Sequence, residues 1–115
     1  MALNEKDRRW VDGNEVDTVE LSPGIERKIL AYSDQLMCVE YRMKAGTSVA
    51  PHFHQPHTQA GYILSGTFAF VAEGQTKVLR QGDSFLFHPN VAHSCACVED
   101  GMIVDFFTPM REDVL

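Results

Sequence analysis

Apolar and polar positions alternate with a period of two along much of this chain. The segment 37–43 (MCVEYRM) carries apolar residues at each odd position, and the segments 67–72 and 103–106 alternate in the same way. Successive side chains of a strand point to opposite faces, so the pattern predicts strands with one face in a core. No segment carries a long apolar stripe with the 3.6-residue period of an amphipathic helix.

Residue pairs that end in glycine separate these segments. Several of the pairs follow one another at intervals of about a dozen residues or less, which is the spacing of turns in an all-β sandwich or barrel. The pairs are Pro23-Gly24, Ala45-Gly46, Ser65-Gly66, Glu73-Gly74, Gln81-Gly82 and Asp100-Gly101. We therefore predict an all-β fold with turns at these pairs. Its strands lie near 16–21, 25–30, 36–43, 48–53, 60–65, 67–73, 76–80, 84–88, 91–98 and 102–107.

The length of 115 residues is that of one domain. We predict a barrel over 16–115, preceded by an arm or short helix over 1–15. A net charge of −6 argues against a duplex nucleic-acid partner, which requires a basic face. The chain has neither an apolar run long enough for a transmembrane helix nor the apolar stretch of a signal peptide. Three cysteines do not form a secreted disulfide framework, so we expect a cytoplasmic protein without a membrane partner.

The five histidines all fall between positions 52 and 93. His52 and His54 are two residues apart, so on an extended strand their rings share a face. One strand cannot surround a metal ion, and Gln59 and His93 can complete a site if their strands are neighbours. Imidazole and amide donors suit a divalent transition metal, and four protein ligands leave open positions on an octahedral ion. A histidine pair that binds no metal is the alternative.

The spacing around these residues resembles two motifs of the cupin family. The first runs from Gly46 through His52-Phe53-His54 and Gln59 to Gly66, with glutamine where the family usually has glutamate. The second runs from Gly82-Asp83 through His93 to Cys97 and departs from the family at three positions. His88 replaces the usual proline, Asn90 replaces the usual glycine, and Cys97 stands where asparagine often occurs. The resemblance implies a double-stranded β-helix, a barrel related to jelly rolls, with a metal held in its mouth by His52, His54, Gln59 and His93.

A narrower resemblance covers nearly the whole chain. The segments 23–30 (PGIERKIL), 59–66 (QAGYILSG) and 105–113 (DFFTPMRED) are similar to pectin-degradation cupins of the KdgF type. Those proteins use glutamine as the fourth ligand and open the ring of 4,5-unsaturated monouronates from pectin or alginate. The resemblance implies one divalent ion (Ni, Fe, Mn or Zn), a sugar-acid substrate and a homodimer.

The same resemblance implies roles for three residues near the C-terminus. Asp105 would move protons, Arg111 would bind the substrate carboxylate through its planar fork, and Phe107 would pack on the sugar ring. Each of the three residues has an alternative without a role in the site. Asp105 is then an outward-facing or arginine-paired acid, Arg111 a surface arginine and Phe107 a core aromatic residue. Burial would raise the pKa of Asp105 and a nearby cation would lower it, so the sequence leaves the direction open.

Two other functions fit a cupin with these residues. One is a different metal-dependent enzyme, such as a dioxygenase, and the other is a non-catalytic sugar- or effector-binding module. Among the remaining candidate ligands, His57 is a fifth ligand or a hydrogen-bond donor to a metal ligand or, as we expect, a polar residue of the 55–58 loop. Cys95 and Cys97 are soft ligands or, as we expect, packed thiols.

Overall fold

Eight β-strands form one antiparallel sheet in the computed structural model, which describes residues 5–115. No α-helix occurs in this range. The described residues therefore contain no helix that is long and apolar enough to cross a membrane. The all-β prediction is confirmed. The strands are β1 (Val19–Ser22), β2 (Ile25–Tyr32), β3 (Met37–Met43), β4 (Ser48–His52), β5 (Thr58–Ala72), β6 (Gln75–Arg80), β7 (Ser84–Phe87) and β8 (His93–Thr108), and a 3-10 turn spans Glu112–Val114.

Two long strands, β5 and β8, organise the sheet because they pair with each other along most of their length. Their outer neighbours change midway. The first half of β5 pairs with β7 and its second half with β6, while the first half of β8 pairs with β4 and its second half with β3. The sheet therefore folds across itself into two layers, β1-β2-β3-β8-β5-β7 and β4-β8-β5-β6. This is the double-stranded β-helix predicted from the sequence.

The sequence prediction was wrong at Ser65-Gly66 and Asp100-Gly101, which are not turns between separate strands. Each pair lies inside a long strand, where the register between β5 and β8 shifts repeatedly. Gly66 has a φ of 81°, and a Cβ built on it would lie 2.5 Å from the carbonyl oxygen of Asp100 and 2.6 Å from the Cα of Gly101. The two strands bend at these bulges and their backbones approach more closely than side chains permit.

The N-terminal segment does not form a helix over the part that the structure describes. Residues 5–18 adopt turns and bends, and β1 begins at Val19, three residues later than predicted. Positions 1–4 of the predicted arm lie outside the described residues.

The alternating apolar positions point into the barrel, as predicted. One cluster fills the space between the layers, and a second, smaller cluster lies where the C-terminal turn covers the barrel. Asp105 occupies an inward position among these apolar residues. The first cluster contains Ile25, Met43, Ile63, Phe68, Phe70, Leu79, Phe87, Cys97 and Ile103, and the second contains Met37, Val39 and Phe107.

We expect Gly66→Ala to lower the free energy of unfolding by about 3 kcal/mol, because the methyl group meets backbone atoms that cannot rotate away. Gly74→Ala is the matched control, since Gly74 has a φ of 75° but no atom within 4 Å of its Cβ position. That control has only the positive φ to accommodate, at about 1 kcal/mol. Urea unfolding of both variants measures the difference. Equal losses would contradict the close crossing of β5 and β8.

Candidate metal centre

Three histidines from two strands and a loop meet at one end of the barrel. His52 ends β4 and lies directly opposite His93, which begins β8, while His54 follows in the loop before β5. One ligand atom from each ring lies within 4.8 Å of the other two. The ring centroids of His52 and His93 are 4.4 Å apart. The histidine trio predicted from motif spacing is therefore assembled by strand register.

Backbone carbonyls set the tautomer of two of these rings. The Nδ1 atoms of His52 and His93 each lie 2.9 Å from a carbonyl oxygen, of Ala50 and Val91 respectively. A carbonyl oxygen can only accept a hydrogen bond, so each Nδ1 carries the proton and each Nε2 keeps a free lone pair. The ring of Phe87 stacks on His93 at 4.2 Å and fixes its orientation.

The surroundings of His54 and His93 favour the neutral imidazole, which is the form that binds metals. The pKa of His54 is lowered to about 4, first by burial and then by the charge of Arg111 and the neighbouring His52 ring. Burial also lowers the pKa of His93. Both effects act against a charged imidazolium in this part of the barrel.

Gln59 lies in the same cavity as the trio, and its side-chain amide has both a hydrogen-bond donor and an acceptor. It is only 7% exposed, and its Nε2 donates a hydrogen bond of 2.8 Å to Oδ2 of Asp105. Its Oε1 is buried without a hydrogen-bond partner among residues 5–115, as are the Nε2 atoms of His54 and His93. Buried acceptors without partners are rare in native proteins. Three such lone pairs lining one cavity fit a bound cation.

Asp105 is buried on the inner face of β8, between Val39 of β3 and Gly61 of β5. Burial raises its pKa to about 7, against the opposing effects of the Gln59 hydrogen bond and the Arg111 charge. Its Oδ1 has no partner among the described residues. A Cβ on Gly61 would lie 2.6 Å from that oxygen, so the absence of a side chain at 61 makes room for the carboxyl group.

The site opens into a cavity of about 390 Å³ that the three C-terminal candidates also line. Phe107 is 1% exposed and belongs to the second core cluster, so it is a core aromatic that also forms the cavity wall. The guanidinium of Arg111 lies 4.9 Å from the Phe107 ring centroid. Arg111 also pairs with Asp113, with Nη2 2.7 Å from Oδ2 and Nε 3.3 Å from Oδ1. The arginine thus combines a cavity position with a local ion pair.

The other candidate ligands lie outside the trio. The Nε2 atom of His57 lies 3.1 Å from the carbonyl oxygen of Met110. Because a carbonyl oxygen can only accept a hydrogen bond, the His57 ring is the donor. Cys97 is a core residue whose thiol faces the carbonyl oxygens of Met43 and Glu99. Cys95 lines the cavity, but burial raises its pKa to about 12, so it remains a packed thiol.

Sequence reasoning missed two polar residues of the cavity, Arg27 on β2 and Tyr41 on β3. They face each other in the strand register. The signal was present in the alternation, because Arg27 occupies the same face as Ile25 and Ile29. A charged residue in an inward-facing register is unusual and is therefore an informative signal.

Comparisons with known proteins agree with this geometry. The profile of the Cupin domain family matches residues 39–108. The pectin degradation protein KdgF of Dickeya dadantii (strain 3937) is 37% identical over 109 residues, which are 94% of this chain and 99% of that protein. The chain belongs to the cupin family, in its KdgF group.

Solved structures of other cupins have the same architecture. KdgF from Halomonas sp. is 34% identical, with a TM-score of 0.89 over 94% of this chain and 99% of that chain. An RmlC-like cupin from Shewanella frigidimarina is 31% identical, with a TM-score of 0.90 over 96% and 98% of the two chains. Salicylate 1,2-dioxygenase from Pseudoaminobacter salicylatoxidans, at 21% identity and a TM-score of 0.71, shares the fold.

We expect the purified cupin to bind about one divalent transition-metal ion per chain. Metal addition should raise the melting temperature, because the ion binds the folded state. His52→Ala should weaken binding by at least about tenfold, since even a group that only orients a ligand contributes that much. His88→Ala, at an exposed position outside the trio, is the control. Elemental analysis after dialysis measures the metal content of both variants. Full metal content in His52→Ala would contradict the site.

We expect Gln59→Glu to destabilise the metal-free protein by about 1–3 kcal/mol, because a carboxylate would face Asp105 where an N–H donor now lies. Gln75→Glu makes the same change at an exposed position of β6 and should have little effect. Unfolding in urea with a chelator present gives the comparison. A Gln59→Glu variant as stable as Gln75→Glu would show that the Gln59–Asp105 bond is not needed.

Proposed function

We propose that this cupin is a metal-dependent enzyme of pectin degradation that opens the ring of 4,5-unsaturated monouronates, from pectin or alginate, to linear 5-keto uronates. The observation that carries the proposal is Gln59, whose amide donates a hydrogen bond to the buried acid Asp105 and lines the same cavity as the three histidines. The similarity to a relative named as a pectin degradation protein supports the part of the proposal that concerns pectin degradation. His52, His54, Gln59 and His93 are the proposed metal ligands.

Glutamine has a chemical consequence as the fourth ligand. A glutamate would cancel one unit of the charge of the ion, whereas three neutral imidazoles and an amide cancel none. A divalent ion held by these four residues would supply a Lewis acid for the oxygen that develops enolate character. The buried acceptors of His54, His93 and Gln59 are the groups that would hold it.

Asp105 is the proposed proton carrier. In the reaction, the C1 hydroxyl loses its proton, C1 becomes an aldehyde carbonyl as its bond to the ring oxygen breaks, and the ring oxygen leaves as an enolate at C5. A proton then adds to C4 to give the 5-keto product, so atoms balance without a redox step. The unpartnered Oδ1 of Asp105 lines the cavity and is free to take the first proton and return one.

Arg111 and Phe107 are the proposed substrate-binding residues. The guanidinium of Arg111 can bind a carboxylate through two parallel hydrogen bonds, as it binds Asp113 in this structure. Phe107 offers an apolar surface to the sugar ring beside the histidines. The identity of the metal, a homodimeric state and a cytoplasmic location stay predictions from the sequence.

We expect the metal-loaded protein to accelerate the loss of ultraviolet absorbance from a 4,5-unsaturated monouronate, whose enol ether is conjugated with the carboxylate. Asp105→Asn should lower kcat by about a hundredfold or more, because an amide cannot carry the proton. Asn keeps an acceptor for Gln59, so the barrel should stay folded. Asp17→Asn changes an exposed acid and is the control.

Three outcomes separate the proposal from the other functions. No acceleration over the spontaneous decay, with metal bound, would reject ring opening. Oxygen consumption with an aromatic or thiol substrate would favour a dioxygenase. Binding of a uronate without turnover and without a stoichiometric metal would favour a sugar-binding module. Full activity in Asp105→Asn would reject the role of Asp105 alone.

A further inference from the structure

Arg27 is a charged residue in an inward-facing position of the barrel. It lies on β2 between Ile25 and Ile29 on the same face, and it pairs in register with Tyr41 of β3. Its side chain lines the same cavity as Asp105. A positive charge in such a position requires either an internal acid or a bound anion.

The structure provides Arg27 with almost no partner. Among residues 5–115, its Nε is buried without a hydrogen-bond partner, and its Nη2 has one long bond of 3.4 Å to the carbonyl oxygen of Val114. No acid of the described residues forms an ion pair with it. Arg111 is different, because Asp113 satisfies two of its nitrogens. A guanidinium has five N–H donors in a fixed fork, so Arg27 has unused capacity for an anion.

The two arginines converge on one place. Arg27 reaches the carbonyl oxygen of Val114, and Arg111 reaches the carboxylate of the preceding residue, Asp113. Both guanidinium charges also act on the hydroxyl group of Tyr41, where each lowers the pKa against the larger effect of burial. The C-terminal turn thus offers two oxygen acceptors to two neighbouring guanidinium groups at the cavity.

We propose that Arg27 is a substrate-binding residue that, together with Arg111, holds the carboxylate of an anionic sugar in this cavity. The proposal rests on the proposed function for the identity of that sugar. The carboxylate of the sugar replaces the Asp113 carboxylate and the Val114 carbonyl oxygen as the hydrogen-bond acceptor of the two guanidinium groups. Arg27 adds the charge that no acid of the described residues neutralises, and it makes the cavity select sugar acids over neutral sugars.

The test uses the full-length, metal-loaded protein and the saturated sugar acid galacturonate, which lacks the C4=C5 bond and is not turned over by this chemistry. Calorimetry should show galacturonate binding more tightly than galactose in the wild type. Arg27→Gln should weaken galacturonate binding by about tenfold to a hundredfold, the value of a charge-assisted hydrogen bond. Galactose binding should not change. Arg27→Lys, which keeps the charge but loses the fork, should lie between the two.

Arg42→Gln is the matched control, because Arg42 lies on the adjacent strand β3, is exposed and, within residues 5–115, forms an ion pair only with Glu40 on its own strand. It removes the same charge without touching the cavity. In the ring-opening assay, Arg27→Gln should raise KM by the same factor and change kcat by less than about threefold. Its metal content and melting temperature should match those of the wild type, which a merely structural role would alter.

The inference and the proposed function can fail separately. Unchanged galacturonate binding in Arg27→Gln would overturn the inference, as would a wild type that does not distinguish galacturonate from galactose. A drop in melting temperature that accounts for the lost binding would assign Arg27 to folding and would also overturn it. Absence of ring opening, with Arg27-dependent galacturonate binding intact, would reject the proposed reaction and leave the anion site in place.

Discussion

The hydrogen bond from Gln59 to Asp105 is the contact on which the rest of the site depends. An amide has a donor and an acceptor on one rigid group, so it can face an acid on one side and a metal on the other. A glutamate at this position would present an oxygen atom to the acid as well as to the metal. The amide therefore lets a buried carboxyl group lie within 2.8 Å of a proposed metal ligand without repulsion. Any substitution at 59 changes both the histidine site and the acid.

Strand register is what brings these groups together. His52 lies opposite His93, Gln59 lies opposite Phe107, and Asp105 lies opposite Gly61. A shift of one residue would turn every one of these side chains to the other face of the sheet. The bulges around Gly66 hold that register, because they bend both long strands at one crossing. The core and the chemistry thus depend on the same backbone feature.

Alternation was enough to predict most of the strands, and motif spacing was enough to predict the histidine trio. Asp105 was assigned to the site only through the resemblance to the KdgF group, because its residue type and neighbours alone favoured an outward-facing or arginine-paired acid. Neither pattern predicts the bends, because Gly66 resembles a turn glycine until its partner strand is known. Arg27 was missed although the alternation places it on the same face as Ile25 and Ile29, because its proposed role depends on what lies across the barrel. The pairing of Arg111 with Asp113 depends on the C-terminal turn, whose path a period-two pattern does not describe.

The charge of the chain and the charge of the cavity have opposite signs, and distance decides which one a ligand experiences. The net charge of −6 is spread over the surface, where salt screens it within about 8 Å. Arg27, Arg111 and the proposed divalent ion with its neutral ligands would act inside a partly enclosed cavity, where the same charges interact more strongly. Asp105 does not cancel them fully, because its burial favours the protonated form. The proposed anionic sugar would therefore be repelled weakly at long range and attracted strongly at contact, and its selection would occur inside the barrel.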